Sequence, residues 1–173
     1  MAIAKKIGAV SAVVAAVSVP ALLAAQPAGA ERIGGWCPAS VMRFETNPLG
    51  MQTVPVNANF DADIGHCAGT PAGDTKFHAN FAGNGSCNDA IGQVEGTLAW
   101  ANGQISRVAG QWHVPGGNNP PPVTNTLEIL DGPGAGGEVH IDQGPVDAYP
   151  LGGPCMNGTA TNGQIPISTV HFN

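Results

Sequence analysis

Charged side chains make up 10% of the 173 residues and aromatic ones 5%, with a single tyrosine, Tyr149. Each shortage excludes something. A membrane-spanning β-barrel needs girdles of aromatic residues at both interfaces, and one tyrosine cannot supply them. A glycosidase needs two facing carboxylates in a cleft. Acids are present, but the chain is short and poor in the aromatics that would line such a cleft. Cations are scarcer still. Lys5 and Lys6 lie in an N-terminal leader, which leaves Arg32, Arg43, Lys76 and Arg107 against twelve acids, a net charge of −8 beyond the leader. Phosphate backbones and anionic lipid are repelled by such a surface, so nucleic acid and membrane surfaces are not expected partners. No Cys-x-x-Cys pair occurs, which argues against zinc ribbons and thioredoxin-type redox sites. Beyond the leader, no run of ten residues keeps a 3.6-residue apolar period without a Gly or Pro inside it, so helices are not expected.

The leader itself is well formed. Lys5-Lys6 make a positive start, Ile7 to Ala25 is apolar, and Ala28-Gly29-Ala30 offers the small side chains of a cleavage site. Residues 1–30 therefore read as a signal peptide, and residues 31–173 as one secreted β-domain of 143 residues. Pro20 and the cleavage site favour export over a permanent anchor, so no membrane association is expected after cleavage. The expected location is extracellular.

Four cysteines, Cys37, Cys67, Cys87 and Cys155, are even in number and widely spaced. In an exported domain the default is two structural disulfides. Three connectivities are possible; the favoured one is Cys37–Cys67 with Cys87–Cys155. Each cross-link would contribute about 2–4 kcal/mol, mainly by shrinking the unfolded ensemble.

Apolar residues recur in short alternating runs between turn residues, the pattern of strands with one buried face. The clearest unit is Gly92 to Val114. Val94, Gly96, Leu98 and Trp100 share one face of its first arm. Ser106, Val108, Gly110, Trp112 and Val114 share a face of its second. Asn102-Gly103 lies between the arms, a hairpin signal because Gly tolerates positive φ. A two-residue turn would set Leu98 against Arg107, a charge on the apolar face. A three-residue connection, Ala101-Asn102-Gly103, with Gly103 left-handed and bulged, pairs Leu98 with Ser106, Gly96 with Val108 and Val94 with Gly110. A one-residue slip reverses every side chain, so the bulged form is predicted.

Further strands are predicted over Val41–Thr46, Gln52–Val56, Thr75–Phe81, Val123–Leu130, Gly137–Gln143 and Ile165–Phe172. Pro55 and Pro166 suggest edges or strand starts. Gly116 to Pro122, Asp131 to Gly136 and Pro145 to Cys155 read as loops. The expected fold class is all-β, an antiparallel sandwich or barrel of about eight strands with two disulfides.

The run Gly96-Thr97-Leu98-Ala99-Trp100-Ala101-Asn102-Gly103-Gln104-Ile105-Ser106 resembles a stretch recurrent in small exported β-proteins of actinobacteria. There a G-x-x-x-W, an Asn/Asp-Gly turn and Ser/Thr-rich alternation follow one another. The four-cysteine layout is similar too. The resemblance implies a fold and a compartment; those proteins carry no established activity, so no catalytic residue transfers. The chain departs from them in His66, His78, His113, His140, His171 and Trp112.

Candidate chemistry is thin. On a strand Glu138, His140 and Asp142 point one way, with Val139 and Ile141 toward the core. Such a trio could hold a divalent metal if His78 or His113 supplied a further ligand. The plain alternative is a solvated polar face. Asp61-Ala62-Asp63, Asn88-Asp89 and Asp131-Gly132 read as turn chemistry, and none matches a calcium loop with its closing Glu. None of Ser40, Ser86, Ser106 and Ser168 lies in a G-x-S-x-G elbow, and Asn84-Gly85-Ser86 reads as a turn beside a disulfide. Asn157-Gly158-Thr159, like Asn84-Gly85-Ser86, is a formal glycosylation sequon better read as a turn. No catalytic residue and no cofactor are expected. Trp100 and Trp112 fall on apolar faces and belong in the core. Trp36 adjoins Cys37; it either shields that disulfide or stacks on a ligand such as cell-wall glycan. The function read from these features is a secreted non-catalytic structural or binding module. The alternatives are a cell-wall polysaccharide binder and a small metal-dependent or hydrolytic enzyme centred on His140.

Overall fold

In a computed structural model the described residues are 31–116, 120–146 and 148–173, with the side chains of residues 148–151 excepted. The expected signal peptide, residues 1–30, lies outside them. Nine strands and one helix follow in chain order: β1 (Gly34–Cys37), β2 (Ser40–Leu49), β3 (Val54–Thr70), β4 (Gly73–Ser86), β5 (Asp89–Ala99), β6 (Ile105–Pro115), β7 (Val123–Asp131), β8 (Glu138–Gln143), α1 (Ala148–Met156) and β9 (Ala160–Phe172). Each strand from β2 to β9 pairs antiparallel with the next, and β9 returns to pair with β2. The expected all-β class is therefore realised as a closed eight-stranded up-and-down barrel. Closure removes the exposed edges that an open sheet would have to protect.

The short β1 is the broken-off start of β2. It lies between β3 and β9, with Trp36 opposite Ala68 on one side and His171 on the other. The pairing of Cys37 with Val170 and of Ser40 with Ile167 keeps one register across the gap. On the β3 side, Gly34 with Thr70 and Met42 with Ala62 do the same. Pro38, which has no N–H to give the ladder, lies at the interruption.

Alternation sets the core. On β3 Val56, Ala58, Phe60, Ala62 and Ile64 are buried while Asn57, Asn59, Asp61 and Asp63 face out. Two aromatic groups fill the interior. Phe60 packs on Phe81 (centroids 5.6 Å apart) and on Trp112 (5.7 Å), and Trp112 stacks on Phe77 (6.0 Å). Trp100 meets Phe172 edge-on at 5.2 Å. Gly92 makes room for the first group: a Cβ there would lie 2.8 Å from the Phe81 ring.

The β5–β6 hairpin has the predicted register, with Leu98 opposite Ser106, Gly96 opposite Val108 and Val94 opposite Gly110. Gly103 is left-handed at φ +83°, and its N–H donates to the Trp100 carbonyl at 2.9 Å. The disulfides are Cys37–Cys67 and Cys87–Cys155. The first joins neighbouring strands at one end of the barrel. The second ties the β4–β5 turn to α1 at the other.

Several sequence expectations need correction. Residues 148–156 form α1 rather than loop, although Gly152, Gly153 and Pro154 are poor helix formers. The helix is fastened at Cys155 and stopped by Gly158, left-handed at φ +68°. Asp61-Ala62-Asp63 is no turn; it lies within β3, where Asp61 reaches His78 (2.7 Å) and Asp63 reaches Lys76 (3.2 Å). Asn84-Gly85-Ser86 completes β4, and the turn is Cys87-Asn88. Asp89 begins β5 instead of completing that turn. Pro166 lies inside β9, between Val41 and the end of β8. Its carbonyl accepts from the Gly144 N–H (2.9 Å), so its missing N–H points past the last residue of β8, where no ladder partner is required.

Candidate binding site

The two ends of the barrel differ in side-chain size. The end holding Cys37–Cys67 is filled by Trp100, Phe172, Ile33 and Ile64. Gly134 there is so closely covered that a Cβ would lie 2.5 Å from Ile33. At the opposite end three small inward residues, Ala58 on β3, Ala90 on β5 and Ala160 on β9, stand among Leu49, Val56, Val114 and Ile165, all buried. Above the floor of Phe60 and Phe81 they leave a recess of about 50 Å³ that opens to solvent. Its rim includes Thr46, Ser86 and Asp89, and Val146 and Cys87 border it on the α1 side. Asp89 precedes the inward Ala90, and its carboxylate pairs with Nε2 of His113 on the outer face of the barrel. The chain at Gly50 lies close under the end of α1, since a Cβ there would be 3.0 Å from the Gly158 Cα. The neighbouring Met51 and Met156 are both exposed.

The wall between β6 and β7 is unusual near this mouth. The paired residues run from Arg107–Asp131 to Ala109–Glu128. Further toward the mouth the side chain of Asn125 takes over. Its Oδ1 accepts from the His113 N–H (2.7 Å) and its Nδ2 donates to the His113 carbonyl (3.1 Å). Gln143 Nε2 donates to the same carbonyl at 2.7 Å. These amides replace ladder bonds and satisfy a peptide that the diverging strands would otherwise leave unpaired. Gln143 Oε1 and Trp112 Nε1 are buried without a hydrogen-bond partner.

On the outer surface Glu138, His140 and Asp142 share one face of β8, and Val139 and Ile141 are buried behind them, as alternation predicts. Each has its own partners. His140 Nδ1 pairs with the Thr126 hydroxyl at 3.0 Å, and its Nε2 lies 3.4 Å from Glu138. Asp142 accepts from the hydroxyls of Thr124 and Thr169, the latter at 2.7 Å. These two hydrogen bonds, with smaller attractions from His171 and His140, hold its carboxyl below the ordinary carboxylate range against a small opposing effect of burial. His78 pairs with Asp61 and His113 with Asp89, so neither joins β8. Among the described residues no three His, Cys, Asp or Glu side chains are placed to share a metal ion. His171 is what sequence reasoning missed in this region: it stands opposite His140 on β9 and opposite Trp36 on β1. Trp36 is 48% exposed, on the outside of the barrel, while Cys37 points in.

The mouth recess was missed altogether. Its signal is a set of small residues at inward positions, but those residues come from three strands and converge only once the barrel closes. No family model, curated protein or solved structure matches this chain.

Proposed function

We propose that this protein is an extracellular, non-catalytic binding module whose ligand enters the open mouth of the barrel. The leader-like residues 1–30 and the pairing of all four cysteines support an oxidising compartment. The observation that carries the reading is the recess itself. It is concave and mainly apolar with few polar groups at its rim, as small-molecule sites are, but its ~50 Å³ is far below the ~300–1,000 Å³ of drug-sized pockets, so it suits a small apolar group. Here it lies on a rigid barrel and is bordered by a disulfide-anchored helix.

Xenon is the simplest probe, because dry apolar cavities take it up. Under xenon pressure the largest amide shifts in a ¹H–¹⁵N spectrum should fall on Ala58, Ala90 and Ala160. Shifts centred elsewhere, or none, would remove the mouth as the binding site. Mass spectrometry of protein recovered from culture medium should give a chain starting at Glu31.

A second reading, binding of cell-wall glycan, draws on the half-exposed Trp36 and its row with His171 and His140. An exposed indole offers a flat apolar face to a sugar ring. Sedimentation with insoluble peptidoglycan, lost in Trp36→Ala while the xenon response persists, would favour it.

A further inference from the structure

Three histidines stand beside carboxylates on the outer wall of the barrel, and one of the three pairs is unlike the others. His78 lies 2.7 Å from Asp61, and His113 is within hydrogen-bonding distance of Asp89. His140 Nε2, in contrast, stands 3.4 Å from Glu138 Oε2, too far for a good N–H···O bond. Two donors that share one tetrahedral ion, each about 2.0–2.1 Å from it, are separated by about 3.3–3.4 Å. The other nitrogen of the same ring is already held. Nδ1 pairs with the Thr126 hydroxyl on β7 at 3.0 Å, and Nε2 is left facing Glu138. A ligating histidine is commonly fixed in this way, by a hydrogen-bonding partner on its second nitrogen.

The second difference is a further imidazole. His140 stands directly opposite His171 in the β8–β9 ladder. His78 stands opposite Asp61 and Thr97, and His113 opposite Ile91. Directly opposed residues have Cβ atoms about 4.5–5.5 Å apart, a gap that two imidazoles can close on one ion. The three donors are not gathered round one point as they stand. His171 is exposed, and rotation about its side-chain torsions brings in the third. Asp142 is occupied by Thr124 and Thr169 and is not counted among the donors. The excess of acids over cations in residues 31–173 draws cations to this surface.

We propose that Glu138, His140 and His171 form a site for a divalent transition metal that clamps β8 to β9 on the outer wall. Two imidazoles and a carboxylate suit zinc or copper(II), whereas magnesium and calcium favour all-oxygen sets. The site does not depend on the mouth. Trp36, opposite His171 on β1, is its reporter. The untagged, disulfide-bonded protein is titrated with zinc chloride or copper(II) at about pH 8, since a histidine ligand must be unprotonated. One zinc per chain should bind and raise the thermal unfolding midpoint, which magnesium should leave unchanged. Copper(II) should quench tryptophan fluorescence with the same stoichiometry. Trp36→Phe should remove most of that quenching and keep the rise in midpoint with zinc. His140→Ala and His171→Ala should each weaken zinc binding by about ten-fold or more, and Thr126→Val, which frees Nδ1, by about ten-fold. Should an alanine variant not fold, the corresponding glutamine variant takes its place. His78→Ala should leave zinc affinity unchanged. Absence of saturable zinc binding, or full affinity in folded His171→Ala, would overturn the site. Equal weakening by His78→Ala would place the ion elsewhere and overturn it too.

Discussion

Trp100 Nε1 donates to Ser106 Oγ at 2.8 Å, and that hydroxyl donates in turn to the carbonyl of Pro133 at 2.7 Å. Both side chains are buried. Ser106 is thus the relay that lets a buried indole keep its polar group and joins the β5–β6 hairpin to the β7–β8 turn. Ser106→Ala leaves a buried donor and a buried acceptor unpaired. It should cost about 1–3 kcal/mol, the usual penalty for an orphaned buried group. Trp100→Phe removes the donor, so Ser106→Ala in that background should cost less. Urea denaturation of the four proteins gives the coupling directly. Simple additivity would mean that the hydroxyl does not serve the indole.

Gly103 and Gly34 make a controlled comparison. A Cβ at either position meets nothing within 4 Å, but Gly103 is left-handed at φ +83° and Gly34 is not. Gly103→Ala should therefore destabilise by about 1 kcal/mol through backbone conformation alone, and Gly34→Ala should be near neutral. Thermal unfolding monitored by circular dichroism distinguishes them. Equal shifts would show that the bulge does not need its glycine.

The hairpin was legible because its information is local: alternating arms, a turn signal between them, and one charge, Arg107, that selects the register. Barrel closure was not, because β9 meets β2 across more than a hundred residues and sequence alternation is the same in an open sheet. The break at Pro38 hid the fact that β1 and β2 are one strand. α1 was hidden by Gly152, Gly153 and Pro154; tertiary attachment at Cys155 outweighs their low propensity. The face carrying Glu138, His140 and Asp142 was readable from a period of two. The threonines from β7 and β9 that occupy Asp142 were not, since no local rule names cross-strand neighbours in a barrel of unknown order.

Those threonines predict an acid response. The Asp142 carboxyl lies below its ordinary value in the folded protein because Thr124 and Thr169 donate to it, with His171 and His140 assisting. A carboxyl whose folded pKa is depressed stabilises the fold above its unfolded pKa of about 3.9. That contribution falls away as pH drops through the lower folded value. Replacing both donors, Thr124→Val with Thr169→Val, should therefore reduce stability most above about pH 5 and least below about pH 2. The comparison is of urea midpoints for the two proteins across that range. A difference independent of pH would assign the loss to packing instead of to the charged carboxylate.

Cys87–Cys155 spans 68 residues and Cys37–Cys67 spans 30. Loop entropy alone makes the longer link the more stabilising, about 4.4 against about 3.6 kcal/mol. The folded structure qualifies that ranking. Cys37 and Cys67 stand on strands already held together by the β1–β3 ladder, whereas Cys155 lies in a helix rich in poor helix formers. Loss of the Cys87–Cys155 link therefore removes an unfolded-state constraint and also frees α1. Cys87→Ala with Cys155→Ala should give amide exchange that rises sharply over residues 152–159 and little over β3–β5, together with a lower unfolding midpoint. Cys37→Ala with Cys67→Ala should lower the midpoint while leaving exchange in α1 unchanged. If the helix keeps its protection without Cys155, then packing at Val146 and Ala160 is sufficient to hold it, and the disulfide acts on the unfolded chain alone.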